Sequence, residues 1–201
     1  MSPSPAPRLV LASRSPQRRA ILAKLGLEFE VRPADVQERE QGYDLGEVAL
    51  GNAIAKADAA ARDDPAEVVL GVDTVVWLEG RVYGKPRDAA EAAAGLRALS
   101  GATHLVVSGL ALVRAPDLVQ TVVAETRVTF RELDQGLIDW YLATEEWRDR
   151  AGGYAIQGAG AALVTRVEGD YENVVGLPVA ALLDLWPNLL ARVSDGPGVG
   201  A

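Results

Sequence analysis

Arg8-Leu-Val-Leu-Ala-Ser-Arg-Ser-Pro-Gln-Arg-Arg-Ala-Ile-Leu-Ala-Lys-Leu-Gly26 carries a strand, a turn and a helix in one short stretch. Residues 8–12 are an apolar run of strand length. Ser15 offers a side-chain acceptor to the free N–H groups of a first helical turn, and Pro16 suits the first helical position because its missing N–H would have no partner there. Gly26 can take the left-handed conformation that stops a helix, so the spacing predicts a helix over 16–24. A strand that turns directly into a helix points to an α/β fold.

The same reasoning extends along the chain. Asp44 with Glu47 opens a helix running through Lys56 to about residue 62, and Asp88 with Glu91 opens another to Leu99; both resemble capping boxes with aspartate in the cap. On the latter helix Ala92, Leu96 and Leu99 share a face. Residues 68–78 form an extended apolar stretch that turns at Glu79-Gly80 into Arg81-Val82-Tyr83, a hairpin pattern. Residues 105–113 and 119–130 read as further strands. In the second, Val122, Ala124, Thr126, Val128 and Phe130 alternate with Glu125, Arg127, Thr129 and Arg131, the pattern of an antiparallel strand with one wet face. Asp134 caps a helix to about Thr144, residues 161–168 read as a strand, and residues 178–190 as a last helix. The expected fold is α/β, with a mixed central sheet and flanking helices. With no repeat, linker or low-complexity block, residues 8–190 read as a single domain, and 1–7 and 194–201 as flexible tails.

Composition excludes whole classes of function. Of 201 residues, 49% are hydrophobic and 24% charged, the balance of a globular chain that buries a core. Twenty basic against 28 acidic side chains leave a net charge of −8, a field that repels nucleic acid and anionic membranes. No nucleic-acid partner is expected, and an anionic ligand must be met by local basic groups. There is no cysteine, hence no disulfide, thiol nucleophile or thiolate metal site, and His104 alone cannot build a multi-histidine centre. Metal chemistry would fall to carboxylates and hard cations. No apolar run approaches the roughly 18 residues of a membrane span, and the first residues lack the basic-then-apolar pattern of a secretory signal, so a cytoplasmic location away from membranes is expected.

Five constellations carry possible chemistry. Ser13-Arg14-Ser15-Pro16-Gln17-Arg18-Arg19 concentrates basic side chains and hydroxyls at a helix N-terminus, where the backbone already favours an anion. The plain alternative is a capped helix with solvated arginines. Gly71-Val-Asp-Thr-Val-Val76 puts Asp73 inside the most apolar strand, where an ionised carboxylate calls for a lysine, an arginine or a metal; alternatively Asp73 ends the strand and binds turn amides. Lys85 is fixed between Gly84 and Pro86, whereas Lys56 on an alanine-rich helix could be merely solvated. The glycine-rich segment 151–160 would let a ligand approach backbone and could offer the Gln157 amide to a base edge. Of the acidic stretch Asp35, Glu38 and Glu40, one carboxylate could complete an oxygen-ligand site with Asp73. His104 reads as structural.

In order along the chain, Leu11-Ala-Ser-Arg-Ser-Pro-Gln-Arg-Arg19, Glu38, Ala53-x-x-Lys56, Gly71-Val-Asp-Thr74, Gly84-Lys-Pro86, Ser100-Gly-Ala-Thr-His104, Gly153-Tyr-Ala-Ile-Gln-Gly158 and Val175-Gly-Leu-Pro178 resemble the Maf family of nucleoside triphosphate pyrophosphatases. The resemblance spans nearly everything from Arg8 to about Leu190. It implies hydrolysis between the α and β phosphates to a monophosphate and pyrophosphate, dependent on a divalent cation, Mg²⁺ or Mn²⁺. It also implies two lobes around a cleft, similar to inosine triphosphate pyrophosphatases, and a possible homodimer. By position, Asp73 matches the proton acceptor, Ser13 and Arg18 the phosphate-binding turn, Glu38 a catalytic or metal-linked carboxylate, and Lys56 and Lys85 phosphate-facing lysines. Asp73 and Glu38 are then the candidate metal ligands, and Gln17, Thr74 and Gln157 match positions tied to base choice.

One position departs from the family pattern. Much of the family, including the branch acting on dTTP and UTP, carries two adjacent arginines after Ser-x-Ser-Pro, where this chain has Gln17 and Arg18. Asp73-Thr74 and Tyr154-Ala-Ile-Gln157 still resemble the pyrimidine-type branch and not the 7-methyl-GTP branch. The expectation is a pyrimidine-leaning triphosphate pyrophosphatase; the rivals are a house-cleaning hydrolase of modified nucleotides and a nucleotide-binding regulator of cell division.

Overall fold

The structure is a computed structural model that describes residues 7–39, 44–115 and 118–192; the expected tails, Pro7 apart, and Glu40 lie outside the described residues. β1 (Arg8–Leu11) leads into α1 (Pro16–Lys24), whose first turn is closed by Ser15 Oγ accepting from the Arg18 N–H at 3.4 Å. Gly26 ends it with φ of 73°. β2 (Phe29–Val31) follows, then α2 (Leu45–Ala60) capped by Asp44, β3 (Glu67–Leu78), β4 (Arg81–Tyr83) and α3 (Ala89–Leu99) capped by Asp88. β5 (Thr103–Arg114), β6 (Leu118–Phe130), α4 (Gln135–Ala143), β7 (Val164–Glu168), α5 (Tyr171–Val175) and α6 (Val179–Leu185) complete the order.

The sheet is mixed, in the order β2-β1-β3-β5-β6-β7 with β4 added to β3. β2, β1 and β3 are parallel, joined by crossovers through α1 and α2; β3, β5, β6 and β7 are antiparallel. On one edge of β3, β1 pairs only with residues 67–70 and β4 only with 76–78, while β5 covers the other edge from 69 to 77. Residues 71–75 are therefore left with one side unpaired, and this gap in the sheet is the floor of the cleft described below.

The apolar faces divide along the long strands. Val68, Leu70, Val72, Leu110 and Leu112 pack with α1 and α6 in one cluster, and Val76, Val106, Val128 and Phe130 pack with α3 and α4 in another. Between them on β3 and β5 lie Thr74 and Ser108, opposite each other and hydrogen-bonded at 2.8 Å. On the other face α2 lies against the sheet through Ala49, Ala53 and Ala57. That approach needs glycine below it: a Cβ on Gly109 would sit 2.5 Å from the Leu50 nitrogen, and one on Gly71 would overlap the Ala53 carbonyl.

Local boundaries differ from expectation at three places. Residues 159–163 form a 3-10 turn, so the strand expected from residue 161 begins at Val164; Gly160 is packed on the Ala155 backbone and cannot lie in an open ladder. The last helix stops at Leu185 instead of continuing to 190, because Trp186 precedes Pro187 and is held out of the helical region, with φ of −132° and ψ of 74°. The short helix α5 was not expected; it is opened by Asp170, which accepts from the Glu172 N–H at 2.8 Å.

Glu67, at the start of β3, is a buried carboxylate that Arg32 grips with two hydrogen bonds of 2.7 and 2.9 Å. Those bonds, opposing burial and helped by the charges of Arg32 and Arg8, pull its pKa from 4.5 to about 2. The folded value is the lower one, so the stabilisation is complete above pH 4.5 and is lost as the pH falls toward 2. Glu67→Gln is expected to cost about 2 kcal/mol at neutral pH, since it weakens two charge-assisted bonds and leaves Arg32 poorly compensated. Melting of both proteins from pH 7 to 2.5 checks this: the gap in Tm should hold above pH 4.5 and narrow steadily as the pH falls from there toward 2.5, and a gap independent of pH would reject it.

Candidate active site

α2 presents Asn52 and Lys56 one helical turn apart on the face that meets the gap in β3. Asp73 stands opposite them, 5% exposed, in mid-strand and paired with Gly109, which excludes the strand-end alternative. Its Oδ1 accepts from Lys56 Nζ at 2.7 Å and its Oδ2 from Asn52 Nδ2 at 2.9 Å. Burial pushes the carboxyl pKa up, but the charge and hydrogen bond of Lys56, the bond from Asn52 and the charge of Arg18 outweigh it and hold the group below the ordinary aspartate value. Asp73 is thus buried and ionised, the condition of a carboxylate that can accept a proton.

Asn52 also fixes the segment that carries Glu38. Its Oδ1 accepts from the Arg39 N–H at 2.8 Å and its Nδ2 donates to the Arg39 carbonyl at 3.0 Å. Glu38 is thereby held where its carboxylate meets Lys56 Nζ at 2.8 Å, so a single ammonium bridges Asp73 and Glu38. Asp35 is engaged elsewhere, in an exposed pair with Arg14 at 2.6 Å. Asn52 escaped the reading of the sequence, where only its place four residues before Lys56 links it to the site.

On the other side of β3, Arg18 enters the gap. Nε donates to the Gly176 carbonyl at 2.8 Å, Nη1 to the Val72 carbonyl at 2.9 Å and Ser13 Oγ at 3.1 Å, and Nη2 to Thr74 Oγ1 at 3.1 Å. The arginines of the first turn are thus not alike. Arg18 is buried and closes the unpaired edge of β3, whereas Arg14 and Arg19 are exposed. Gln17 accepts from Ser15 Oγ at 3.0 Å.

These groups open into one cleft of about 1540 Å³, whose far wall carries Lys85, Arg150 and Gln157. Lys85 and Gln157 are exposed and make no hydrogen bond or ion pair among the described residues. All the candidate residues, Ser13, Gln17, Arg18, Glu38, Lys56, Asp73, Thr74, Lys85 and Gln157, therefore line a common space. Beside Gln157, a Cβ on Gly158 would strike Glu146, whose Oε2 accepts from the Ala159 N–H at 2.7 Å. His104 is buried with Nε2 and the Tyr154 hydroxyl 2.8 Å apart, and burial lowers its pKa to about 4, so it is neutral and structural.

For a metal, the carboxylates brought together beside Lys56 are Asp73 and Glu38; no group of three or more acidic or histidine side chains that could hold an ion occurs among the described residues. Asp73 and Glu38 already share one cation, and two carboxylates completed by phosphate oxygens are the usual protein share of a Mg²⁺ site. The donor set fits a hard divalent ion brought with a polyphosphate. No helix among the described residues is long and apolar enough to cross a membrane.

A mixed-sheet α/β protein that gathers an ionised buried aspartate and several cations on a large open cleft has the charge and the space to receive a polyanion. The profile described as "Maf-like protein" matches residues 8–189, and the chain belongs to that family. A dTTP/UTP pyrophosphatase of Pyrococcus furiosus is 45% identical over 180 residues, 89% of this chain and 93% of that protein. One of Anaeromyxobacter dehalogenans is 49% identical over 178 residues, 87% and 90% of the two chains. The solved structure of a HAM1 protein from Coxiella burnetii aligns with a TM-score of 0.43 and 22% identity, over 78% of this chain and 91% of that one.

Proposed function

We propose that this chain hydrolyses a nucleoside triphosphate between its α and β phosphates, releasing the monophosphate and pyrophosphate, with dTTP and UTP as the preferred substrates. The observation that carries the reading is Asp73, ionised and buried at the gap in β3 with its donors already in place. The relatives named above, dTTP/UTP pyrophosphatases at 45% and 49% identity, support the substrate class.

In this reading one oxygen of Asp73, with a lone pair left beyond its bond from Lys56 or Asn52, accepts a proton from the attacking water as the water oxygen bonds to the α phosphorus and the bridging bond to the leaving pyrophosphate breaks. Lys56 and Lys85 offset the charge of the phosphates. Ser13 and Arg18 shape the receiving turn, Arg18 chiefly by holding the open edge of β3. Asp73 and Glu38 are the residues that would hold Mg²⁺ or Mn²⁺; a bound ion would neutralise phosphate oxygens. Gln17 and Thr74 on one wall and Gln157 on the other face the base from two sides and set its choice. The enzyme acts on free nucleotides in the cytoplasm.

An assay on dTTP, UTP, CTP and GTP that separates pyrophosphate from orthophosphate tests this. Pyrophosphate is expected as the first product, with the highest kcat/KM on dTTP and UTP. Orthophosphate first would overturn the cleavage site. A best rate on a modified base would favour the house-cleaning role, which Gln17 in place of arginine makes the closest rival. Tight binding with no turnover would favour a regulator.

A further inference from the structure

The cations of the near wall are already engaged. Arg18 gives four hydrogen bonds to protein acceptors and Lys56 lies between two carboxylates. A triphosphate carries more negative charge than these can balance. On the far wall Arg150 lines the cleft, and its Nε is buried with no hydrogen-bond partner. No ion pair to Arg150 occurs among the described residues, although Asp149 and Glu146 are close in sequence. That Nε is closed to solvent, so a ligand acceptor would meet the terminal guanidinium nitrogens, which make no hydrogen bond to protein among the described residues.

The backbone that carries Arg150 is bent to hold it there. Asp149 takes φ of 57°, uncommon for a residue with a Cβ, and Gly152 and Gly153 take 71° and 69°. The turn is tied to the neighbouring one that bears Lys85: the Gly152 N–H donates to the Gly84 carbonyl at 3.1 Å, and the Cα of Gly153 faces Pro86 so closely that a Cβ there would lie 3.4 Å from its ring. Arg150 and Lys85 thus stand on two turns fixed to each other, both facing the cleft and both without a protein counter-ion among the described residues.

We infer that Arg150 is a substrate-binding residue which, with Lys85, grips the β and γ phosphates and holds the departing pyrophosphate. This rests on the proposed cleavage between the α and β phosphates. The planar guanidinium can give two parallel hydrogen bonds to phosphate oxygens, which a lysine alone cannot do.

Calorimetric binding of inorganic pyrophosphate and of dTMP, to the wild type, Arg150→Gln and Arg150→Lys, decides the matter without turnover. Arg150→Gln should weaken pyrophosphate at least tenfold and leave dTMP within twofold; Arg150→Lys should fall between. KM for the triphosphate should rise more than kcat falls. If Arg150→Gln does not fold, Arg150→Lys carries the test and must weaken pyrophosphate at least threefold with dTMP unchanged. Equal losses for both ligands, or unchanged pyrophosphate affinity, would overturn the inference. Orthophosphate release by a wild type that binds pyrophosphate through Arg150 would overturn the proposed reaction and leave this binding site standing.

Discussion

Asp73→Asn is expected to lower kcat by about a hundredfold or more while leaving KM within a few-fold, the size of a lost general base. The two side chains are nearly the same shape and Glu38 remains to pair with Lys56, so the cleft should keep its form, although the new NH2 gives up one of the two acceptors that Lys56 and Asn52 use. What disappears is the acceptor that Lys56 and Asn52 keep ionised. Because Asp73 lies below the ordinary aspartate pKa, the wild-type rate should not decline through Asp73 until the pH falls under that range. Steady-state kinetics with melting curves on both proteins make the check, and a kcat within threefold of wild type would take Asp73 out of the chemistry.

Gly71→Ala should damage stability and activity together, though residue 71 touches no substrate. Its added methyl group would overlap the Ala53 carbonyl and approach Ala57 Cβ to 2.9 Å, so α2 must lift from the sheet. Overpacking against backbone costs about 3 kcal/mol, which for a chain of this length lowers Tm by roughly 6 to 12 °C. Lifting α2 also draws Lys56 and Asn52 away from Asp73, and a misplacement near 1 Å can lower kcat/KM by as much as about 100-fold. Gly51 lies on the same helix, but a Cβ there would meet nothing within 4 Å, so Gly51→Ala should be neutral or stabilising by up to about 1 kcal/mol. Equal behaviour of the two variants would refute close packing of α2 as the device that assembles the site.

Much of the architecture was legible because its causes are local. Ser15, Asp44, Asp88 and Asp134 each cap the helix that follows, and Glu79-Gly80 turns β3 into β4. The errors are local too: packing of Gly160 against Ala155 delayed β7, and Pro187, a breaker already present in the sequence, shortened the last helix by holding Trp186 out of the helical region. In the site, Asp73 was conspicuous as a charge in an apolar strand. Asn52 was not, since asparagine on a helix has no unusual chemistry until something faces it. Ser108 gave no signal at all, for only strand register sets it against Thr74.

The chain's own order of residues determined the caps, the hairpin, the apolar strands and the demand that Asp73 find a partner, all matters of neighbours within a few positions. Tertiary structure decided which partner answered. Lys56 lies 17 residues from Asp73 and Arg18 lies 158 from Gly176, and only the close seat of α2 on glycine and the unpaired edge of β3 bring them together. An ion pair needs atoms within a few ångströms of each other, and that distance is set by how elements pack, not by the spacing of residues along the chain.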